Sequence, residues 1–235
     1  MTPSTSSPTA EGAVELEVAQ DSIPEDKRAR ILDAAQELFL RYGVRRTSMD
    51  DVARSAGIAK GTVYLSFRSK DALFASLAER MCAEILVSAR KAASAPLPLA
   101  IRVVGYLDAY VGAMSRLLAR SPHAAELIES KQALATPVFA RFETRFQEAL
   151  AALLRNGGIE RSDAPLMFLA AAHGALKTGD LSEAAYRRRL TLLVEALIAG
   201  LERELGRPAK RPSALPPRIQ NERRGAESRA SERNR

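Results

Sequence analysis

Tryptophan is missing from this 235-residue sequence, cysteine occurs once, as Cys82, and histidine twice, as His123 and His173. A lone cysteine excludes an intrachain disulfide and suits a reducing compartment, so a cytoplasmic protein is expected. No second His or Cys follows either histidine at i+3 or i+4, and Cys82 has no assignable base. With no glycine-rich phosphate loop or Cys/His cluster either, we expect no catalytic residue, no metal site and no cofactor. No run of 18 apolar residues occurs, which excludes a membrane-spanning helix. The N-terminus lacks a basic segment followed by an apolar stretch, so no secretory signal is expected. Aromatics make up only 5%, and no segment alternates with period two over a useful length. Strands are therefore not expected, and the fold class is all-α.

Positive charge is unevenly spread. Residues 1–24 hold four acids and no base, giving −4, and residues 25–71 hold ten bases and seven acids, giving +3. Residues 72–205 carry sixteen bases and fourteen acids, giving +2, and residues 206–235 nine bases and three acids, giving +6. Most of the net +7 thus sits in a proline-rich tail. Residues 1–22 read as a disordered arm and 206–235 as a disordered basic tail, since neither has the apolar pattern to build a core. Between them we expect a small helical domain at 23–71 and a larger one at 72–205, joined inside a long helix.

The stretch 28–71 organises the chain. Ile31, Ala35, Leu38, Phe39 and Tyr42 recur at helical spacing until Gly43 stops the run. Thr47 or Ser48 then caps a second helix with Met49, Val52 and Ala53 inward and Asp50 and Asp51 in its first turn. Ala56-Gly57-Ile58 makes a tight turn before a very short helix over 59–65. Two helices joined by a three-residue turn containing glycine form a helix-turn-helix, whose second helix can enter the major groove of DNA. Gly61 costs about 0.5–1 kcal/mol inside so short a helix, which suggests that a backbone must approach something closely there. Lys70 follows the cap Ser69 at the positive end of a helix dipole. There it either grips a phosphate or extends into solvent. Lys27, Arg28 and Arg30, after a capping box Ser22…Glu25, either reach phosphates or form a solvated face.

These residues resemble the DNA-binding domain of the tetracycline-repressor (TetR) family. The resemblance is carried by Ala34-Ala35…Leu38-Phe39…Tyr42-Gly43, Thr47-Ser48-Met49-Asp50-Asp51-Val52-Ala53, Ala56-Gly57-Ile58 and Lys60-Gly61-Thr62-Val63-Tyr64…Phe67…Ser69-Lys70-Asp71-Ala72-Leu73. It covers roughly a fifth of the chain. Ala59 stands where a Ser or Thr often caps the reading helix, and Ser66 where His or an aromatic is frequent. On this resemblance Thr47, Tyr64 and Lys70 hold phosphates and Lys60, Gly61 and Thr62 face bases, with Ser48 also among the DNA-binding residues.

Further helices are expected from Ser69 to about Ala93, over Ile101–Ala119, from Ser121 to about Lys131, and from Thr136 to about Asn156. Two more run from Asp163 to about Thr178 and from Ser182 to about Leu205, making nine. The last carries Leu190, Leu193, Val194, Leu197, Ile198 and Leu201, a stripe broad enough for a core and for a partner copy, with Leu190, Val194, Leu197 and Leu201 expected at the dimer interface. Ala170, Ala171, Ala172, Gly174 and Ala175 on the helix before it permit close approach. The resemblance implies a homodimer through these two helices, which internal packing alone would also explain. Tyr110, Met114, Phe142, Phe146 and His173 either line a cavity for a small-molecule effector or are core. The expected function is a homodimeric repressor that reads a near-palindromic double-stranded operator and leaves it on binding ligand. The alternative is a ligand-independent or protein-partner-regulated DNA-binding protein. An all-helical enzyme is disfavoured by the missing catalytic constellation.

Overall fold

The computed structural model describes residues 24–177 and 182–206. Among them are nine helices and no strand, one helix being interrupted by a π turn. Helix α1 is Glu25–Tyr42, α2 Met49–Ala56, α3 Lys60–Ser66 and α4 Lys70–Ala93. Helix α5 runs unbroken through Leu99–Leu107, the π turn Asp108–Gly112 and Ala113–Ala119. Then come α6 at Ala124–Leu134, α7 at Thr136–Asn156, α8 at Ala164–Lys177 and α9 at Glu183–Glu204. The expected arm at 1–22, with its cap Ser22, and the tail at 206–235 lie outside the described residues, Gly206 excepted.

Local chemistry sets the ends of the first helices. Gly43 stops α1 at φ 84° and ψ 160°, backbone that only glycine adopts without strain. A Cβ there would also lie 2.5 Å from the Glu126 carboxylate. Ser48, not Thr47, caps α2 in a capping box. Its hydroxyl accepts from the Asp51 N–H at 3.1 Å, and the Asp51 carboxylate accepts from the Ser48 N–H at 3.0 Å. That hydroxyl, which also donates to Asp51, holds the carboxyl below its usual range. Gly57 takes the left-handed conformation at φ 62°, and the Ile58 N–H closes back onto the Ala53 carbonyl at 3.0 Å. Ser69 caps α4 by accepting from the Ala72 N–H.

One layer of core packs Ile31, Ala35 and Phe39 of α1 with Val52, Val63, Phe67, Leu73 and Phe74. The Phe39 and Phe74 rings stand 5.9 Å apart. This group, α1 to the first turns of α4, is called the head below. Helix α4 continues into the second layer, the body, where Tyr106, Tyr110, Phe142 and Phe146 pack ring on ring. Tyr106 lies 4.5 Å from Phe146, Tyr110 4.8 Å from Phe142, and the Tyr106 hydroxyl donates to the Phe146 carbonyl at 2.8 Å.

The π turn has no counterpart in the sequence reading. Val103, Leu107 and Tyr110 of α5 are buried, while Met114 and Leu117 beyond the turn are only half-buried. The extra residue in the turn rotates the second half of the helix. Asp108, at the turn, takes two bonds from Arg116 and one from Arg187 of α9, at 3.0–3.3 Å.

Cys82 is buried in α4, and burial pushes its thiol up to about 11. Only roughly a thousandth is thiolate at pH 8, so a thiol reagent should leave the folded protein almost unlabelled. Labelling should become complete in denaturant; fast labelling of the native protein would contradict this burial.

Candidate nucleic-acid interface

Helix α3 has seven residues and shows most of them to solvent. Val63 is fully buried and Phe67, just past its end, is 2% exposed; these two seat the helix. Lys60, Gly61, Tyr64 and Leu65 face outward with Thr62 half-buried beside them. Ala59 leaves its N-terminus without a side-chain cap, while the Ser66 hydroxyl donates back to the Thr62 carbonyl. A Cβ added at Gly61 would meet no atom within 4 Å. Nothing inside the protein therefore requires glycine there.

The seven expected residues separate into two groups. Lys60, Gly61, Thr62 and Tyr64 share the outer face of α3. The Lys60 ammonium pairs with Asp50 at 2.8 Å, and hydrogen bonding to that carboxylate raises its pKa. It also lies 5.9 Å from the Tyr64 ring. Ser48 stands exposed at the start of α2, its hydroxyl engaged in the cap. Thr47 differs from expectation: it is 3% exposed, and its hydroxyl donates inward to the Gly43 carbonyl at 2.7 Å, closing the end of α1. Lys70 also differs. Its ammonium, at a half-buried residue, donates to the carbonyls of Arg45 at 3.2 Å and Thr47 at 3.0 Å. Backbone oxygens turned toward α4 give that cation a nearer acceptor.

Arg28 and Arg30 likewise have internal partners. The Arg28 guanidinium lies over the Phe67 ring at 4.4 Å, and Arg30 donates to the Ala56 carbonyl at 2.6 Å, bracing the turn between α2 and α3. The sequence reading passed over Arg46 and Arg54, both exposed, which border a surface cleft between α1 and α2 with Tyr42 and Ser55. Their signal was there to use: bases flanking the first and last turns of a capped helix that precedes the reading helix. Among the described residues, no cluster of three metal-ligating side chains occurs, and no helix is long and apolar enough to cross a membrane.

The outward residues of α3, seated by Val63 and Phe67, have the geometry of a groove-reading helix. Residues 31–77 match the family described as bacterial regulatory proteins, tetR family. The N-terminal domain belongs to that family. The TetR-family head is 36% identical over 73 residues to an uncharacterized HTH-type transcriptional regulator, YhgD, of Bacillus subtilis. It is 46% identical over 57 residues to the HTH-type transcriptional regulator SrpR of Pseudomonas putida. These matches cover 31% and 24% of this chain, and 38% and 27% of the relatives, so the chain spans under two fifths of their lengths. Solved structures extend the likeness beyond the TetR head. A TetR-like transcriptional regulator from Rhodococcus sp. RHA1 is 26% identical with a TM-score of 0.53, covering 74% of this chain and 96% of that one. The flavonoid-responsive regulator FrrA is 26% identical with a TM-score of 0.50, covering 77% and 97%. The all-helical arrangement, with its N-terminal helix-turn-helix and C-terminal helical region, is thus the TetR-like one.

Gly61→Ala separates the internal and external roles of that glycine. Alanine should raise stability against urea by about 0.5–1 kcal/mol, since the site is open and helical. Affinity for bound DNA should fall at the same time. A stabilised variant with unchanged affinity would remove the close approach.

Proposed function

We propose that this chain is a sequence-specific DNA-binding transcriptional regulator, a homodimeric repressor released from its operator by a small ligand. The observation that carries the reading is the outer face of α3, where Lys60, Gly61, Thr62 and Tyr64 stand beside the exposed Leu65, uncharged but for Lys60 and seated from beneath by Val63 and Phe67. Residues 23–71 act as the DNA-binding domain and 72–205 as the ligand-binding and dimerisation domain. Lys60, Gly61, Thr62 and Tyr64 face the major groove. Ser48, Arg46 and Arg54 lie where backbone phosphates pass, and phosphate contacts set register while base contacts set sequence. Thr47 and Lys70 act indirectly, by fixing the loop 43–48. The protein works in the cytoplasm, needs no cofactor and performs no catalysis.

We place the dimer surface on the outward part of the expected face, at Leu193, rather than at Leu190, Val194 and Leu201. Leu190, Val194 and Leu201 are at most 4% exposed and face their own core, because α9 packs them against α5 and α8. Leu197 is half-buried. Leu166 on α8 and Leu192 and Leu193 on α9 are the large apolar residues left in solvent, and Gly174 and Gly200 have nothing over them. Two such faces related by a two-fold axis form a closed interface, which supports a near-palindromic operator. Ligand control draws on the flavonoid-responsive neighbour. We place its site away from the expected rings, since Tyr110, Phe142 and Phe146 pack on one another and His173 is exposed with Nδ1 2.9 Å from the Leu169 carbonyl; Met114 of the expected set does line a cavity.

Selection of bound sequences from random DNA tests the reading. A near-palindromic consensus should emerge, and Thr62→Ala should relax the preference at one or two positions. Arg54→Ala should weaken all sequences alike and lower the salt slope by about one. DNA binding with no sequence preference would refute the proposal. Leu193→Glu should yield folded monomers in sedimentation, whereas a stable dimer would exclude this face.

A further inference from the structure

A cavity of about 170 Å³ lies where head and body meet. Phe39 and Leu40 of α1 line one side, Leu127 and Ile128 of α6 another, with Met81 and Met114 between. An apolar cavity of roughly 150 Å³ takes up a benzene ring, so this one has room for a single six-membered ring and a small substituent. Only two polar residues, Gln36 and Lys131, border it. The Gln36 oxygen already accepts from Arg80 at 3.2 Å. Lys131 is poorly partnered: its ammonium is 3.8 Å from Glu143, beyond a hydrogen bond, and rests 4.2 Å from the Phe139 ring. A carboxylate at the cavity edge would give that ammonium a charge-assisted bond it now lacks.

The surroundings show what occupancy would do. At its start α6 is tied to α1, since the Ser121 hydroxyl donates to the Leu40 carbonyl at 2.6 Å. From its first turns α6 grips the loop leading to α2. Glu126 accepts the Arg45 N–H at 2.6 Å, and Glu129 pairs with the Arg45 guanidinium at 2.9 Å. A close-packed interior transmits displacement rather than absorbing it. A molecule wedged between α1 and α6 would move α6, and Glu126 and Glu129 would carry the 43–48 loop, and with it α2 and α3, out of register.

We propose that this cavity is the effector site and that its ligand is a single-ring aromatic carboxylate, the acid group meeting Lys131. The assignment rests on the regulator reading and names its ligand class. Benzoate, benzyl alcohol and benzylamine, titrated into the full chain at millimolar concentrations, test it. Benzoate should bind at least about ten times more tightly than the alcohol, and the amine should not bind. Benzoate should shift the methyl resonances of Met81 and Met114, and weaken a selected operator roughly 5- to 150-fold. Ile128→Trp, which fills the cavity from its exposed side, should abolish benzoate binding; Lys131→Gln should bring benzoate down to the level of the alcohol. Preference for the alcohol or amine, unmoved Met81 and Met114 methyls, or benzoate binding that survives Ile128→Trp would each overturn the proposal. So would benzoate binding that leaves operator affinity intact. Operator binding without benzoate is scored separately: its loss sinks the regulator reading, its presence with a failed titration only this inference.

Discussion

A seven-residue helix has no stability of its own in water, because nucleation costs more than two turns of hydrogen bonds return. Helix α3 exists because Val63 and Phe67 drop into the core formed by Ile31, Phe39, Val52, Leu73 and Phe74. Burying one such side chain contributes about 1.5–3 kcal/mol, more than the uncapped N-terminus at Ala59 can lose. Arg28 adds a lid over the Phe67 ring, and Arg30 ties down the turn. The direction in which Lys60, Thr62 and Tyr64 point is therefore set by residues that face the other way.

That rigidity sits beside a weaker joint. Beside the continuous helix α4, the head meets the body through α6, by a hydroxyl-to-carbonyl bond, a carboxylate on the Arg45 N–H and an ion pair with both side chains well exposed. Exposed ion pairs contribute about 0–1 kcal/mol, so this attachment is easily rearranged compared with the apolar core on either side. A firm reading unit on a soft mount can turn as a block. A cavity at the mount places any bound molecule where least energy is needed to move the head.

The body is stiffened at the π turn. The π turn brings the Asp108 carboxylate, only 13% exposed, against Arg116 and Arg187, joining α5 to α9. Gly112 is required there, since a Cβ would overlap that carboxylate. Removing one member of such a partly buried network leaves a charge unpaired, which penalises alternative packings of α9 on α5. Whatever moves α6, the α5–α9 layer carrying the exposed leucines keeps its shape.

The amino-acid sequence by itself determined the helices and several of their ends, because caps and breakers act through neighbours within four residues; the starts at Leu99 and Ala124 were not legible. Ser48, Gly57 and Ser69 do what their types and positions dictate, and the run 136–156 is legible in its stripe of phenylalanines and leucines. The helix-turn-helix was legible for the same reason. Tertiary structure alone decided which polar groups were free. Lys70, Arg28 and Arg30 looked available in sequence, yet each has a distant partner brought by the fold, while Thr47 turns inward to Gly43 four residues back. It also decided which side of α9 is covered, because a stripe of leucines does not say which neighbour reaches it first. The π turn and the cavity between α1 and α6 belong to that second kind, since both arise from how whole helices fit against one another.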